Sequence, residues 1–151
     1  MNLYEDFLNL SLAIIRSENS LENNMQSICD LLDNKLVNYD WIGFYMTNIE
    51  NRTLHLRPYN GKASEHKTIP YGNGICGQVT KTEKTFRIDD LNSESNYISC
   101  SIHVKSEIVA PIIKNGIMVG QIDMDSNTPA AFKQQDQYLS KKICSELANY
   151  L

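Results

Sequence analysis

No stretch of the 151-residue sequence approaches the run of about 20 apolar residues that crosses a membrane. The N-terminus carries Glu5 and Asp6, and Asn9 and Ser11 interrupt the apolar run that follows, so it lacks the pattern of a signal peptide. Positive charge is not in excess: 14 Lys and Arg against 18 Asp and Glu give a formal net charge of -4. That balance argues against nucleic acid or an anionic membrane as the main partner. The three histidines do not cluster and no Cys-x-x-Cys occurs, which removes the spacing of a structural zinc site. Walker-type and dinucleotide glycine signatures are absent as well. Four cysteines in a chain long enough to bury its own core are expected to be reduced or redox-active rather than structural bridges, and the cytoplasm is the expected compartment.

The hydropathy pattern of what is present predicts helices at both ends. Leu3, Phe7, Leu10 and Ile14 recur at helical spacing. Leu21, Met25, Ile28, Leu32 and Leu36 continue the period after Ser20, a natural N-cap. Near the C-terminus Phe132, Leu139, Ile143, Leu147 and Leu151 form another stripe. Between them the pattern turns to strands. Trp41 to Met46 alternates with Trp41, Gly43 and Tyr45 on one face, and Asn48 to Arg52 turns it into a second strand from Thr53 to Tyr59, with Pro58 marking a strand end or an edge. The segment 69–77, Ile-Pro-Tyr-Gly-Asn-Gly-Ile-Cys-Gly, reads as a loop feeding a short helix that runs to about Glu83, with Cys76 in its first turn. The expected fold is therefore a single α+β domain over 1–151. It has a central antiparallel sheet of five to six strands, with the N- and C-terminal helices packed on one face.

Ser106 to Ser126 is the densest stretch, two strands joined at Lys114-Asn115-Gly116. A three-residue loop with Gly116 in the left-handed position sets Ile113 against Ile117 and separates apolar from polar faces. That register puts Glu107 directly opposite Asp123 and Asp125 one diagonal step away. A plain two-residue loop mixes polar and apolar residues on both faces, so the bulged three-residue turn is expected. Three carboxylates on one sheet face repel, and their clustering calls for a cation, a shared proton or water.

The cysteines sit in different settings. Cys29 and Cys144 lie beside apolar helix stripes and read as packing thiols. Cys76, at a helix N-terminus where backbone N–H groups favour a thiolate, is either reactive or a small residue fitting between two glycines. Cys100 closes a polar loop, Tyr-Ile-Ser-Cys-Ser, and is either a candidate nucleophile or a loop residue.

Five stretches coincide with one family: Trp-Ile-Gly-Phe-Tyr at 41–45, the 69–77 segment, Ile-Ser-Cys at 98–100, Ser-Glu-Ile-Val-Ala-Pro at 106–111 and Ile-Asp-Met-Asp-Ser at 122–126. In order and spacing, over positions 38 to 147, the chain resembles the free methionine-(R)-sulfoxide reductases, which are single GAF domains. The resemblance implies that Cys100 is the nucleophile and Cys76 the resolving cysteine. It makes Glu107, Asp123 and Asp125 substrate-binding residues, with Glu107 and Asp125 also acting as acids, and Trp41 and Tyr45 an aromatic wall. It further implies free methionine (R)-sulfoxide as substrate, a thioredoxin-like reductant, a homodimer and no cofactor. Two positions depart from the pattern: His66 stands where many members carry a further cysteine, and Ser101 where an acidic residue usually follows the nucleophile. The rival expectation is a GAF module that binds a small ligand without chemistry. A divalent cation held by the three carboxylates ranks below an ammonium group.

Overall fold

The computed structural model describes residues 2–35, 39–94 and 103–151. Cys100, Ser101 and Leu36 therefore lie outside the described residues. The chain runs α1 (Leu3–Ile15), α2 (Leu21–Lys35), β1 (Trp41–Asn48), β2 (Thr53–Asn60), β3 (Thr68–Pro70), α3 (Gly74–Thr82), β4 (Phe86–Ile88), β5 (Ser106–Lys114), β6 (Ile117–Ser126) and α4 (Gln134–Leu147). The strands form one six-stranded antiparallel sheet in the order β3-β2-β1-β6-β5-β4. The two strands with the densest motifs, β1 and β6, are neighbours at its centre.

Period-2 alternation divides the sheet into two chemically distinct faces. Ile42, Phe44, Ile108, Ala110, Ile112, Ile122 and Met124 point to one face and pack against Phe7, Ile15, Met25, Ile28, Leu32, Leu139, Ile143 and Leu147 of α1, α2 and α4. The terminal helices thus share one face, as the sequence predicts. Ser20 does begin α2, its hydroxyl accepting from the Asn23 N–H at 3.2 Å. On α1 the buried stripe is Phe7, Ser11 and Ile15, whereas Leu3 and Leu10 are half exposed. The other face carries Trp41, Tyr45, Leu54, Val109 and Met118 under Ile75, Cys76 and Val79 of α3. This fourth helix and its loops close over the sheet face that holds the acidic residues.

The β5–β6 turn corrects the expected register. Lys114 pairs with Ile117 across a two-residue loop in which Asn115 (φ +52°) and Gly116 (φ +78°) are both left-handed, the backbone of a type I′ hairpin. The irregularity is displaced into the strands. Ile113 pairs with Met118 but Ile112 pairs with Gly120, so Val119 is an extra residue. This bulge restores the face parity that a plain two-residue hairpin would have reversed. Glu107 consequently lies opposite Asp125 rather than Asp123, and Asp123 lies opposite Val109, one diagonal step away. A second shift sits in β2, where Arg57 and Pro58 together oppose Phe44. Pro58 is thus not at the strand end; it lies in a bulge, on a part of β2 beyond the three residues that pair with β3, where the strand has an open edge and tolerates the missing N–H.

Candidate functional site

Trp41, Gly43 and Tyr45 face Asp125, Asp123 and Gln121 across the β1–β6 ladder. Because β5 brings Glu107 beside Asp125, one patch of sheet holds three carboxyl groups beside two aromatic rings. From the other side α3 lowers Cys76 onto the patch: Sγ lies 3.4 Å from Asp123 Oδ2 and 4.0 Å from Glu107 Oε2. Cys76 is the third residue of α3, in its first turn as the sequence predicts. Cys76, Glu107, Asp123 and Asp125 are 6%, 5%, 3% and 4% exposed, so the group is withdrawn from water almost completely.

Burial and mutual repulsion set the protonation. Desolvation is the largest influence on all three carboxyls and raises each above its ordinary range, Glu107 and Asp125 well above it. Asp123 is held back because it accepts hydrogen bonds from Glu107, Cys76 and Asp125. The cluster is therefore best described as one carboxylate, Asp123, stabilised by two neighbouring carboxylic acids and a thiol. Cys76 departs from expectation. Burial first, and then the charges of Asp123, Glu107 and Asp125, push its thiol well above the ordinary value. These outweigh the helix N-terminus, whose influence is typically worth no more than about 1 kcal/mol, and Cys76 is an S–H donor here rather than a thiolate.

Satisfaction within the cluster is incomplete. Glu107 Oε1, Asp123 Oδ1 and Asp125 Oδ1 are buried without a hydrogen-bond partner, and so are both amide atoms of Gln121, which is fully buried. Five of the six such atoms in the described residues lie on this face, the sixth being the Ser11 hydroxyl. Buried polar atoms are normally paired, and their concentration here sets this patch apart from the rest of the described core. Donor atoms of Cys76, Glu107 and Asp123 all lie within 4.8 Å of one another, close enough to share a cation. Two protonated acids make that charge demand modest.

The aromatic wall is larger than the sequence indicates. Trp41 and Tyr45 ring centroids are 6.4 Å apart, and Tyr59 of β2 stacks on Trp41 at 5.8 Å and 16°. Gly43 makes the room: a Cβ there would lie 2.8 Å from Trp41 Cζ3 and 2.9 Å from the Tyr59 Cβ. A glycine within an aromatic strand was the available signal for this close approach. The Trp41 indole N–H donates to the Lys62 carbonyl at 3.0 Å, and the Tyr45 hydroxyl donates to the His66 carbonyl at 3.0 Å. A cavity of about 140 Å³ opens between Trp41, Lys62, His103, Val104 and Asp125 and leads to the acidic cluster. A larger hollow of about 460 Å³ between α1 and α4 borders none of these groups. Of the seven site residues expected from sequence, six converge here; the seventh, Cys100, is outside the described residues.

Comparison with known proteins gives this arrangement its kin. The GAF domain model matches residues 20–151. The free methionine-R-sulfoxide reductase of Escherichia coli K12 is 30% identical over 139 residues, covering 92% of this chain and 82% of the relative. Its counterpart in Saccharomyces cerevisiae is 35% identical over 126 residues, 82% of this chain and 69% of the relative. The structure of free methionine-R-sulfoxide reductase from Neisseria meningitidis, in complex with its substrate, superposes with a TM-score of 0.92 at 27% identity, over 97% of this chain and 87% of that one. The helix-backed sheet and its buried thiol–carboxylate face are those of a GAF domain, and the chain belongs to the free methionine-R-sulfoxide reductase family.

Proposed function

We propose that the protein reduces free methionine (R)-sulfoxide to methionine with cysteine thiols as the electron source. The observation that carries this reading is the buried cluster of Cys76, Glu107, Asp123 and Asp125 beside Trp41 and Tyr45. A sulfoxide sulfur becomes electrophilic only when its oxygen is protonated, and burial pushes Glu107 and Asp125 well above the ordinary carboxyl range, toward the protonated form that can donate. Asp123, the carboxylate of the set, meets the substrate ammonium group. The aromatic faces pack against the S-methyl group and stabilise positive charge developing on sulfur.

In this reading the Cys100 thiolate attacks the protonated sulfoxide. Sulfur is reduced to the thioether, methionine leaves, and the oxygen stays on Cys100 as a sulfenic acid. Cys76 then displaces that oxygen as water and forms a disulfide. Its proton passes by way of Asp123, the acceptor already 3.4 Å away, to the departing hydroxyl, which leaves as water. A thioredoxin-like dithiol supplies the two electrons that reopen the disulfide. His66 occupies the place of a further family cysteine, so Cys76 carries resolution alone. Leu3, Leu10 and Tyr138, apolar yet half exposed on α1 and α4, support a homodimer, and we place the reaction in the cytoplasm.

The deciding experiment incubates the reduced protein with each epimer of methionine sulfoxide, free and peptide-linked, and measures methionine released. Turnover of the free (R) epimer alone is expected. Activity on none of the four substrates sinks the reading. Cys76→Ser should give one stoichiometric turnover without added reductant and Cys100→Ser none.

A further inference from the structure

Cys76, Glu107 and Asp123 each have a separate part in reduction, and as a set they have the dimensions of a metal centre. The Cys76 sulfur lies 3.4 Å from Asp123 Oδ2 and 4.0 Å from Glu107 Oε2, and donor atoms of all three fall within 4.8 Å of one another. A tetrahedral zinc ion, with Zn–S about 2.3 Å and Zn–O about 2.0 Å, separates its sulfur and oxygen ligands by about 3.5 Å. The two sulfur–oxygen spacings in the protein lie on either side of that value.

A second observation is independent of the spacing. Glu107 Oε1, Asp123 Oδ1 and Asp125 Oδ1 are buried without a partner, and Gln121, two residues before Asp123 on the same strand face, is fully buried with neither amide atom hydrogen-bonded. Buried carboxyl oxygens are normally satisfied by a donor or a cation, and no Lys or Arg among the described residues forms an ion pair with these acids. The thiol decides the kind of cation. Mg²⁺ and Ca²⁺ take about six or more oxygen ligands, whereas one sulfur with two carboxylate oxygens suits a softer ion such as Zn²⁺. The cavity of about 140 Å³ that borders Asp125 gives the ion a way in.

We propose that Cys76, Glu107 and Asp123 bind one Zn²⁺, with the fourth position left to Asp125 or water, and that the bound ion holds the enzyme inactive. Coordination replaces the thiol proton, which leaves to solvent. The ion then occupies the carboxyls that would meet the substrate and ties up the thiol that would resolve the sulfenic acid. Metal binding stands on the donor set alone; its effect on turnover rests on the reductase reading above.

The test reads metal binding and turnover separately. Reduced, metal-free protein is titrated with Co²⁺, whose thiolate charge-transfer absorption reports a sulfur ligand, and then with Zn²⁺ in competition. Wild type should take up one equivalent of Co²⁺ with that band and lose it to Zn²⁺, while excess Mg²⁺ leaves it in place. Cys76→Ser should abolish the band. Cys76→Ser, Glu107→Gln and Asp123→Asn, each shown to be folded by circular dichroism, should weaken Zn²⁺ binding by more than the roughly 10–100-fold that loss of an outer-shell partner costs. Cys100→Ser and Cys144→Ser should keep both the band and the affinity. A Cys76→Ser protein that keeps the band, a Cys100→Ser protein that loses it, or wild-type affinity in both carboxyl variants overturns the site. One equivalent of Zn²⁺ should abolish methionine release in a single turnover, and EDTA should restore it; full release with the ion bound overturns the inhibitory role. A protein that binds Zn²⁺ yet reduces no sulfoxide when metal-free would instead overturn the reductase reading and leave the metal site standing.

Discussion

Glu107 lies directly opposite Asp125 across the β5–β6 ladder, both carboxyls more than nine-tenths buried. Like-charged residues in that position repel, and among the described residues neither is relieved by a basic side chain: the partners are Asp123, another acid, and Cys76. The sheet tolerates the pairing because burial favours the neutral form of each acid. The arrangement therefore stores protons in the ground state at a cost in stability.

That cost has a definite pH dependence. Carboxyls titrate near 4 in the unfolded chain, and all three of these are raised in the folded one. The folded state binds more protons, so its stability from these groups is full below about pH 4 and is lost as pH rises through the raised values. Urea midpoints should fall between pH 5.5 and 8. Glu107→Gln removes one acid while retaining an amide donor for Asp123, and should flatten the profile and raise stability at pH 8 by at least about 1 kcal/mol, the equivalent of one pKa unit. Reductase activity should fall about a hundredfold or more. A variant less stable than wild type at pH 8 would contradict this account of the cluster.

Much of the frame was legible because periodicity reports directly on burial. The alternation Trp41-Gly43-Tyr45 and the stripe Leu139-Ile143-Leu147 placed their residues correctly, since each residue type there is set by the face it occupies. The hairpin register was not legible. Asn115-Gly116 is a strong two-residue signal, but its parity conflicted with the carboxylate pattern until Val119 entered as an extra residue. A bulge carries no fixed residue signature when the bulged position is an ordinary β-branched one. The Cys76 environment was obscured for another reason: helix position is local in sequence, whereas the three carboxylates that dominate its chemistry come from strands 31 to 49 residues later.

Thiol reactivity follows from that environment. A protonated, 6% exposed Cys76 should react slowly with iodoacetamide in the native reduced protein at pH 7.5. Cys29 and Cys144 should be as slow; burial pushes the Cys144 thiol up to about 12 and raises Cys29 likewise. All three should label fully in urea, as read by peptide mass spectrometry. Asp123→Asn removes both the hydrogen-bond acceptor of Cys76 and the nearest charge opposing its ionisation, so native labelling of Cys76 should accelerate more than that of Cys144. Equal acceleration at both sites would indicate general loosening and not a local electrostatic effect.

Gln121 tests whether the acidic face is a ligand-binding patch, as proposed, or ordinary core. Its amide is fully buried beside Tyr45 and Pro111 in the ladder, with neither nitrogen nor oxygen hydrogen-bonded. Leaving such a group unpaired costs about 1–3 kcal/mol, and replacing it by an apolar side chain of similar shape sacrifices no bond in the folded state. Gln121→Met keeps the length and flexibility of the side chain while deleting both polar atoms. It should raise the stability of the ligand-free protein by about 1 kcal/mol, seen as an increase of a few degrees in Tm. The same substitution leaves the carboxyls and Cys76 in place. An unchanged KM for the sulfoxide would make Gln121 a flaw in the core, whereas a higher KM alongside the higher Tm would make its amide a ligand contact that only the bound state satisfies. A fall in Tm would mean that the amide has a partner in the ligand-free protein, and would refute its description as an unpaired group.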